Sequence, residues 1–172
     1  MAAMALPALS NWCRPGSDGG GRSSSPSPSV KTSTAAVGPG PNIFDKANVS
    51  VDGSGYLHLK IQKNGSNQWT AAEIIGPTTY GYGKYSFFLG SRVDNLDPNV
   101  VLGLFTWSDK AAYAHREIDI EFSRWQSRTN QNAQFVIQPY TTKGNMARFE
   151  VPPDLLVLAD DFDPGVFDFE KG

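Results

Sequence analysis

Glu117, Asp119 and Glu121 occupy every second position of the hexapeptide Glu117-Ile118-Asp119-Ile120-Glu121-Phe122. A β-strand sends successive side chains to opposite faces, so the three acids share one face and the three apolar residues the other. The apolar face suits a core, whereas the acidic face must meet water, a metal or a substrate. Carboxyl pairs can break a glycosidic bond: one attacks the sugar carbon or activates a water, and the other protonates the leaving oxygen. Retention of configuration needs the two groups about 5–5.5 Å apart. Cα atoms four residues apart on a straight strand are separated by about 13 Å. Long Glu side chains leaning inward on a concave strand close that gap more easily than Asp. Asp119, between them, is expected to raise the proton affinity of its neighbours by like-charge repulsion, which keeps one Glu protonated as an acid catalyst.

Two plainer readings stand beside this one. Alternation of this kind also describes a solvated acidic strand face. Carboxylate oxygens also suit Ca²⁺, but no Asp-rich loop with a turn glycine completes a cage. The sequence therefore indicates no structural Ca²⁺ and no other cofactor.

The acidic strand needs a frame, and the chain supplies one from about residue 42. Residues 1–41 are low in complexity, with Gly19-Gly20-Gly21, a Ser/Pro run at 23–28 and Gly38-Pro39-Gly40-Pro41. Such a segment buries too little apolar surface to offset chain entropy, so it reads as a disordered leader. From Asn42 short alternating runs are separated by turn residues, the texture of an all-β sandwich. Tyr56 to Ile61, Trp69 to Ile75, Lys84 to Val93, Val100 to Trp107, 117–122 and Gln134 to Tyr140 read as strands. Val100 to Trp107 is almost wholly apolar and reads as buried on both faces. No segment reads as a helix. The domain expected is 42–172.

Composition narrows the partners. The chain has 172 residues and a formal net charge of −2, and 40% of its residues are hydrophobic. The charge is too small to point to nucleic acid or a membrane surface. No apolar run reaches the ~18 residues of a membrane span. Cys13 is the lone cysteine, which excludes an intrachain disulfide and makes a cysteine-based zinc site a poor reading. Met1 to Leu9 is apolar but lacks a basic start and is interrupted by Pro7, so it is not read as a secretion signal. Asn48-Val49-Ser50 and Asn64-Gly65-Ser66 match the N-glycosylation triplet, which matters only in a eukaryotic secretory pathway.

In context the acidic strand resembles the active-site strand of glycoside hydrolase family 16, which includes bacterial lichenases, laminarinases and related β-glucanases. The resemblance extends upstream. Ala72-Glu73-Ile74-Ile75 followed by Tyr80-Gly81-Tyr82-Gly83-Lys84-Tyr85 is similar to that family's segment before the active site. Leu104-Phe105-Thr106-Trp107 is similar to the strand that delivers an aromatic to the cleft. Gln134-Phe135 with Gln138-Pro139-Tyr140 is similar to the next cleft strand. The match covers roughly residues 43 to 150.

The resemblance implies a concanavalin-like β-jelly roll and a retaining glycosidase acting on a β-linked glucan or galactan. By position it makes Glu117 the nucleophile, Glu121 the general acid/base and Asp119 the residue that tunes and holds the pair. It places Trp107 against a sugar ring and assigns substrate contacts to Glu73, Gln138 and Tyr140. A polysaccharide or oligosaccharide substrate, a monomer, and an extracellular or periplasmic location follow from the same implication. Nucleic acid and membrane are not expected partners. Fewer residues follow Glu121 than the family implies, so C-terminal strands are expected to be missing. A non-catalytic carbohydrate-binding jelly roll, or an inactive fragment, is the alternative. Each site residue also has a bland reading: Trp107 as core, Glu73 as an exposed strand residue, Tyr80 and Tyr82 as turn formers. His115 reads as exposed at a strand end, and Arg116 as the partner of a surface acid.

Overall fold

Short alternating segments bounded by turn residues can satisfy their backbone groups only by pairing with one another. The computed structural model describes residues 2–5, 27–77, 85, 87–113 and 116–153. Among them the strands are β1 (Ala2–Ala5), β2 (Ser29–Val30), β3 (Ile43–Phe44), β4 (Val49–Val51), β5 (Leu57–Leu59), β6 (Gln62–Lys63), β7 (Trp69–Ala71), β8 (Glu73–Ile75), β9 (Leu102–Phe105), β10 (Ile118–Phe122), β11 (Ala133–Ile137) and β12 (Met146–Phe149). The only helical elements among the described residues are two single 3-10 turns, Lys46–Asn48 and Ala111–Tyr113. The fold is all-β. No helix among these residues is long and apolar enough to cross a membrane.

The main sheet has seven strands in the order β12-β11-β10-β9-β1-β8-β2. The strands β9 to β12 form an antiparallel meander, while β1 lies parallel to both β8 and β9. A three-stranded sheet, β3-β7-β6, and the hairpin β4-β5 complete the structure. Trp69 to Ile75 is thus not one strand. It breaks at Ala72, and the chain passes there from the smaller sheet to the larger one. Ala72 is wholly buried at this step.

The main sheet's apolar face carries Ile74, Leu104, Ile120, Phe122 and Ala133. Register explains the clustering, because Ile120 lies opposite Leu104 on one side and Phe135 on the other. Phe87, Val93 and Val151 pack onto this face from outside the sheet, with Val49 and Leu57 of the β4-β5 hairpin beside them. Phe122 and Ile120, at 0% and 1% exposure, are its centre. Each such side chain is worth about 1.5–3 kcal/mol in removed apolar surface. At the other end of the same face Ile118, Phe135 and Ile137 remain exposed.

Three further expectations change. The described residues of Lys84 to Val93 (85 and 87–93) form no strand. Instead they cover the core through Phe87, Leu89 and Val93. A meander from β8 to β9 would place the intervening chain between them, and β1 fills that slot. The leader is not featureless either, since Ser29–Val30 pairs with β8 and Val37 bridges Asn42. The cause is backbone pairing, which a sequence of low apolar content can still supply. Val100 to Trp107 is a strand only over Leu102–Phe105, and Trp107 beyond it is 62% exposed. The Tyr80–Lys84 turn, His115, Cys13 and the apolar run at 155–158 lie outside the described residues.

Candidate active site

Parity on β10 and register with its neighbours decide what surrounds the acids. Asp119 lies opposite Phe105 on β9 and Val136 on β11, and Glu121 lies opposite Gly103 and Gln134. Glu117 sits one residue before the strand, its carbonyl accepting from the Gln138 amide (3.0 Å). The three carboxyl-bearing residues line one cavity together with Gln138, Gly103 and Phe105. Val101 and Pro39 complete its wall. Gly103 leaves the space opposite Glu121 unfilled, because any side chain there would enter the cavity. The nearest atom to a Cβ at that point is Phe105 Cδ1 at 3.7 Å.

The wall at Pro39 comes from the expected leader. Lys31 Nζ donates to the Gly38 carbonyl (2.7 Å) and to Glu73 Oε2 (2.9 Å), and Asn42 Nδ2 donates to the Pro39 carbonyl (2.6 Å). Lys31 also lies over the Phe44 ring at 4.4 Å. The turn at 38–41 is therefore tied to β8 by one ammonium group.

Asp119 is 5% exposed. Its carboxyl is pushed up to about 8, first by burial and then by the charges of Glu117 and Glu121. It accepts from Gln138 Nε2 (3.2 Å) and shares a hydrogen bond with Glu117. The expected repulsion is present, but burial is the larger cause, and it acts on Asp119 itself. With its carboxyl pushed up to about 8, Asp119 can donate to Glu117 at neutral pH, which is the arrangement a held nucleophile needs.

Glu121 is also raised by burial, against the opposing influence of Gln134 and Arg148. Gln134 Nε2 donates to Glu121 Oε2 at 2.5 Å, and Arg148 Nε donates to Gln134 Oε1 at 3.3 Å. Arg148 in turn lies over the Trp125 ring at 4.5 Å. Among the described residues no group of three or more His, Cys, Asp and Glu side chains is placed to hold a metal ion.

The remaining sequence candidates separate. Gln138 joins the cavity. Glu73 is 4% exposed, ion-paired with Lys31, and does not line the cavity. Trp107 and Tyr140 are exposed aromatics, at 62% and 61%, and Trp107 Nε1 donates to Asp109 (2.9 Å). Trp107 is therefore not core. Arg116 stacks over Tyr113 at 4.8 Å. Gln134, Arg148, Gly103 and Pro39 were not singled out in the sequence. Gln134 had a readable signal, since it lies within the stretch that resembles a cleft strand. Its pairing with Glu121 depends on the register across residues 123–132, which no local pattern specifies. Comparison with protein-family models, with curated proteins and with solved structures found no match.

Proposed function

We propose that the protein hydrolyses O-glycosyl bonds in a β-linked polysaccharide, a glucan or galactan, by a retaining mechanism on a jelly roll of the family 16 type. The observation that supports this most is the convergence of Glu117, Asp119 and Glu121 on one cavity. Glu117 attacks the anomeric carbon while Glu121 protonates the departing glycosidic oxygen. The resulting glycosyl ester on Glu117 is then hydrolysed by a water that gives its proton to Glu121. Asp119, protonated and bonded to Glu117, keeps the nucleophile ionised and in place. Trp107 and Tyr140 offer flat apolar faces to the C–H faces of sugar rings. A polymeric substrate of this kind places the reaction outside the cytoplasm, in the extracellular medium or periplasm.

The experiment is release of reducing sugar from a panel of β-glucans and galactans. The wild type is expected to turn over at least one, and Glu117→Gln and Glu121→Gln each to lose it. Undiminished hydrolysis by either variant would sink the assignment. The exposure of Trp107 and Tyr140 favours a second reading, a glycan-binding module without turnover. Binding of the same oligosaccharides with no product from the wild type would select that reading.

A further inference from the structure

We propose that Arg148 is a positioning residue for Glu121: braced on the Trp125 ring, its guanidinium orients the Gln134 amide so that the NH₂ group, not the carbonyl, faces the Glu121 carboxyl. Its catalytic consequence rests on the reading of Glu121 as the general acid/base. The geometry itself does not.

The chain of contacts crosses three adjacent strands. On β12, Arg148 lies opposite Gln134 of β11, and Gln134 lies opposite Glu121 of β10. Directly opposed residues share a face and are close enough for side-chain bonding. Arg148 Nε donates to Gln134 Oε1 at 3.3 Å, and Gln134 Nε2 donates to Glu121 Oε2 at 2.5 Å. An amide has two chemically different ends. A guanidinium has donors only, so it engages the carbonyl end and leaves the NH₂ for Glu121. Without that cation the amide can turn, and its carbonyl then faces a carboxyl that must be protonated to bond to it.

The brace is itself built. Trp125 holds φ at 42° and Gln126 at 66°, a left-handed backbone that side-chain-bearing residues rarely adopt. The conformation is held by Trp125 N–H donating to Ser123 Oγ (3.0 Å) and Gln126 N–H to the Pro98 carbonyl (2.7 Å). It presents the indole to Arg148. A cation over an aromatic face is favoured and loses part of its freedom to turn toward solvent.

Few other charges face Glu121. Its own strand contributes Asp119, with Glu117 just before it. β11 contributes the neutral Gln134, β9 contributes Gly103, and the turn at 38–41 contributes Pro39. Arg148 of β12 is the cation facing this group among the described residues that oppose or line it.

The test is the titration of the Glu121 carboxyl by ¹³C NMR in the full chain, assigned by its loss in Glu121→Gln. In Arg148→Met the midpoint is expected to move up by about half a unit, because a cation that favoured ionisation is gone and the amide is free to turn. Arg148→Lys, which restores charge but not the planar fork, is expected to recover part of the shift. If Arg148→Met does not fold, Arg148→Gln keeps a flat group on Trp125 and serves in its place. Where the wild type turns over a glycan, the alkaline limb of kcat/KM is expected to move upward with the midpoint. An unchanged Glu121 midpoint in a folded Arg148 variant would overturn the proposal. Absence of glycan hydrolysis by the wild type would count against the proposed function alone, since the carboxyl titration needs no turnover.

Discussion

Asp119→Asn should make the protein more stable above neutral pH. The Asp119 carboxyl is pushed from its ordinary 3.8 up to about 8, chiefly by burial. A carboxyl whose folded value is raised binds its proton more tightly in the native state than in the unfolded chain. Its contribution is therefore complete below pH 4, declines as pH rises, and reaches its most unfavourable level once pH passes about 8. At ~1.4 kcal/mol per unit, the full shift sets a ceiling on the order of 6 kcal/mol. Asp119 shares its proton with Glu117 and feels the charge of Glu121, so part of that penalty stays with the glutamates after substitution. The expected gain at pH 9 is thus about 2 kcal/mol. Asparagine preserves the shape and can still bond to Gln138. The assay is urea unfolding of both proteins at intervals from pH 4 to 9. The two stabilities should nearly coincide at pH 4 and diverge steadily, with the variant above the wild type. Parallel curves across that range would refute the argument, because they would mean Asp119 ionises in the fold as readily as in the unfolded chain.

Two further outcomes concern the frame around the cavity. Lys31→Met leaves the buried Glu73 carboxyl without its ammonium partner and releases the Gly38 carbonyl. It is expected to cost about 2 kcal/mol by chemical denaturation at pH 7, less than for a fully buried pair because Lys31 is partly exposed. Asn132→Ala removes three bonds that tie the Asp94 carbonyl and both backbone groups of Val151 to the residue just before β11. With Asn132 at 2% exposure, its three partners lose their bonds inside the fold, and a loss of about 3 kcal/mol is expected, read from the denaturation midpoint.

The elements nearest the acids were the most legible. Period-two alternation is a local property, and β10 appears at Ile118–Phe122 within one residue of its expected start. The strand read at Gln134 to Tyr140 is observed as β11 at Ala133–Ile137. The segment at Lys84 to Val93 misled, because an aromatic-rich run covers a core as readily as it joins a sheet. Among its described residues Phe87 and Val93 are buried without any strand pairing. β12 was missed because Met146–Phe149 has no alternation of its own and is defined by pairing with β11.

By itself the sequence determined that Glu117, Asp119 and Glu121 share a face, since handedness and pleat make that unavoidable in any strand. It also determined the all-β class, through short alternating runs and frequent turn residues. Only the tertiary structure decided what each acid meets. Burial of Asp119, the empty space at Gly103 and the Gln134–Arg148 contact depend on cross-strand register. Register is set by pairing between residues far apart in the chain, and no local pattern encodes it. The ion pair that ties Glu73 to Lys31 joins residues 42 positions apart and brings part of a low-complexity segment to the cavity wall. The acids' positions follow from covalent geometry, while their protonation follows from which neighbours remove water from around them.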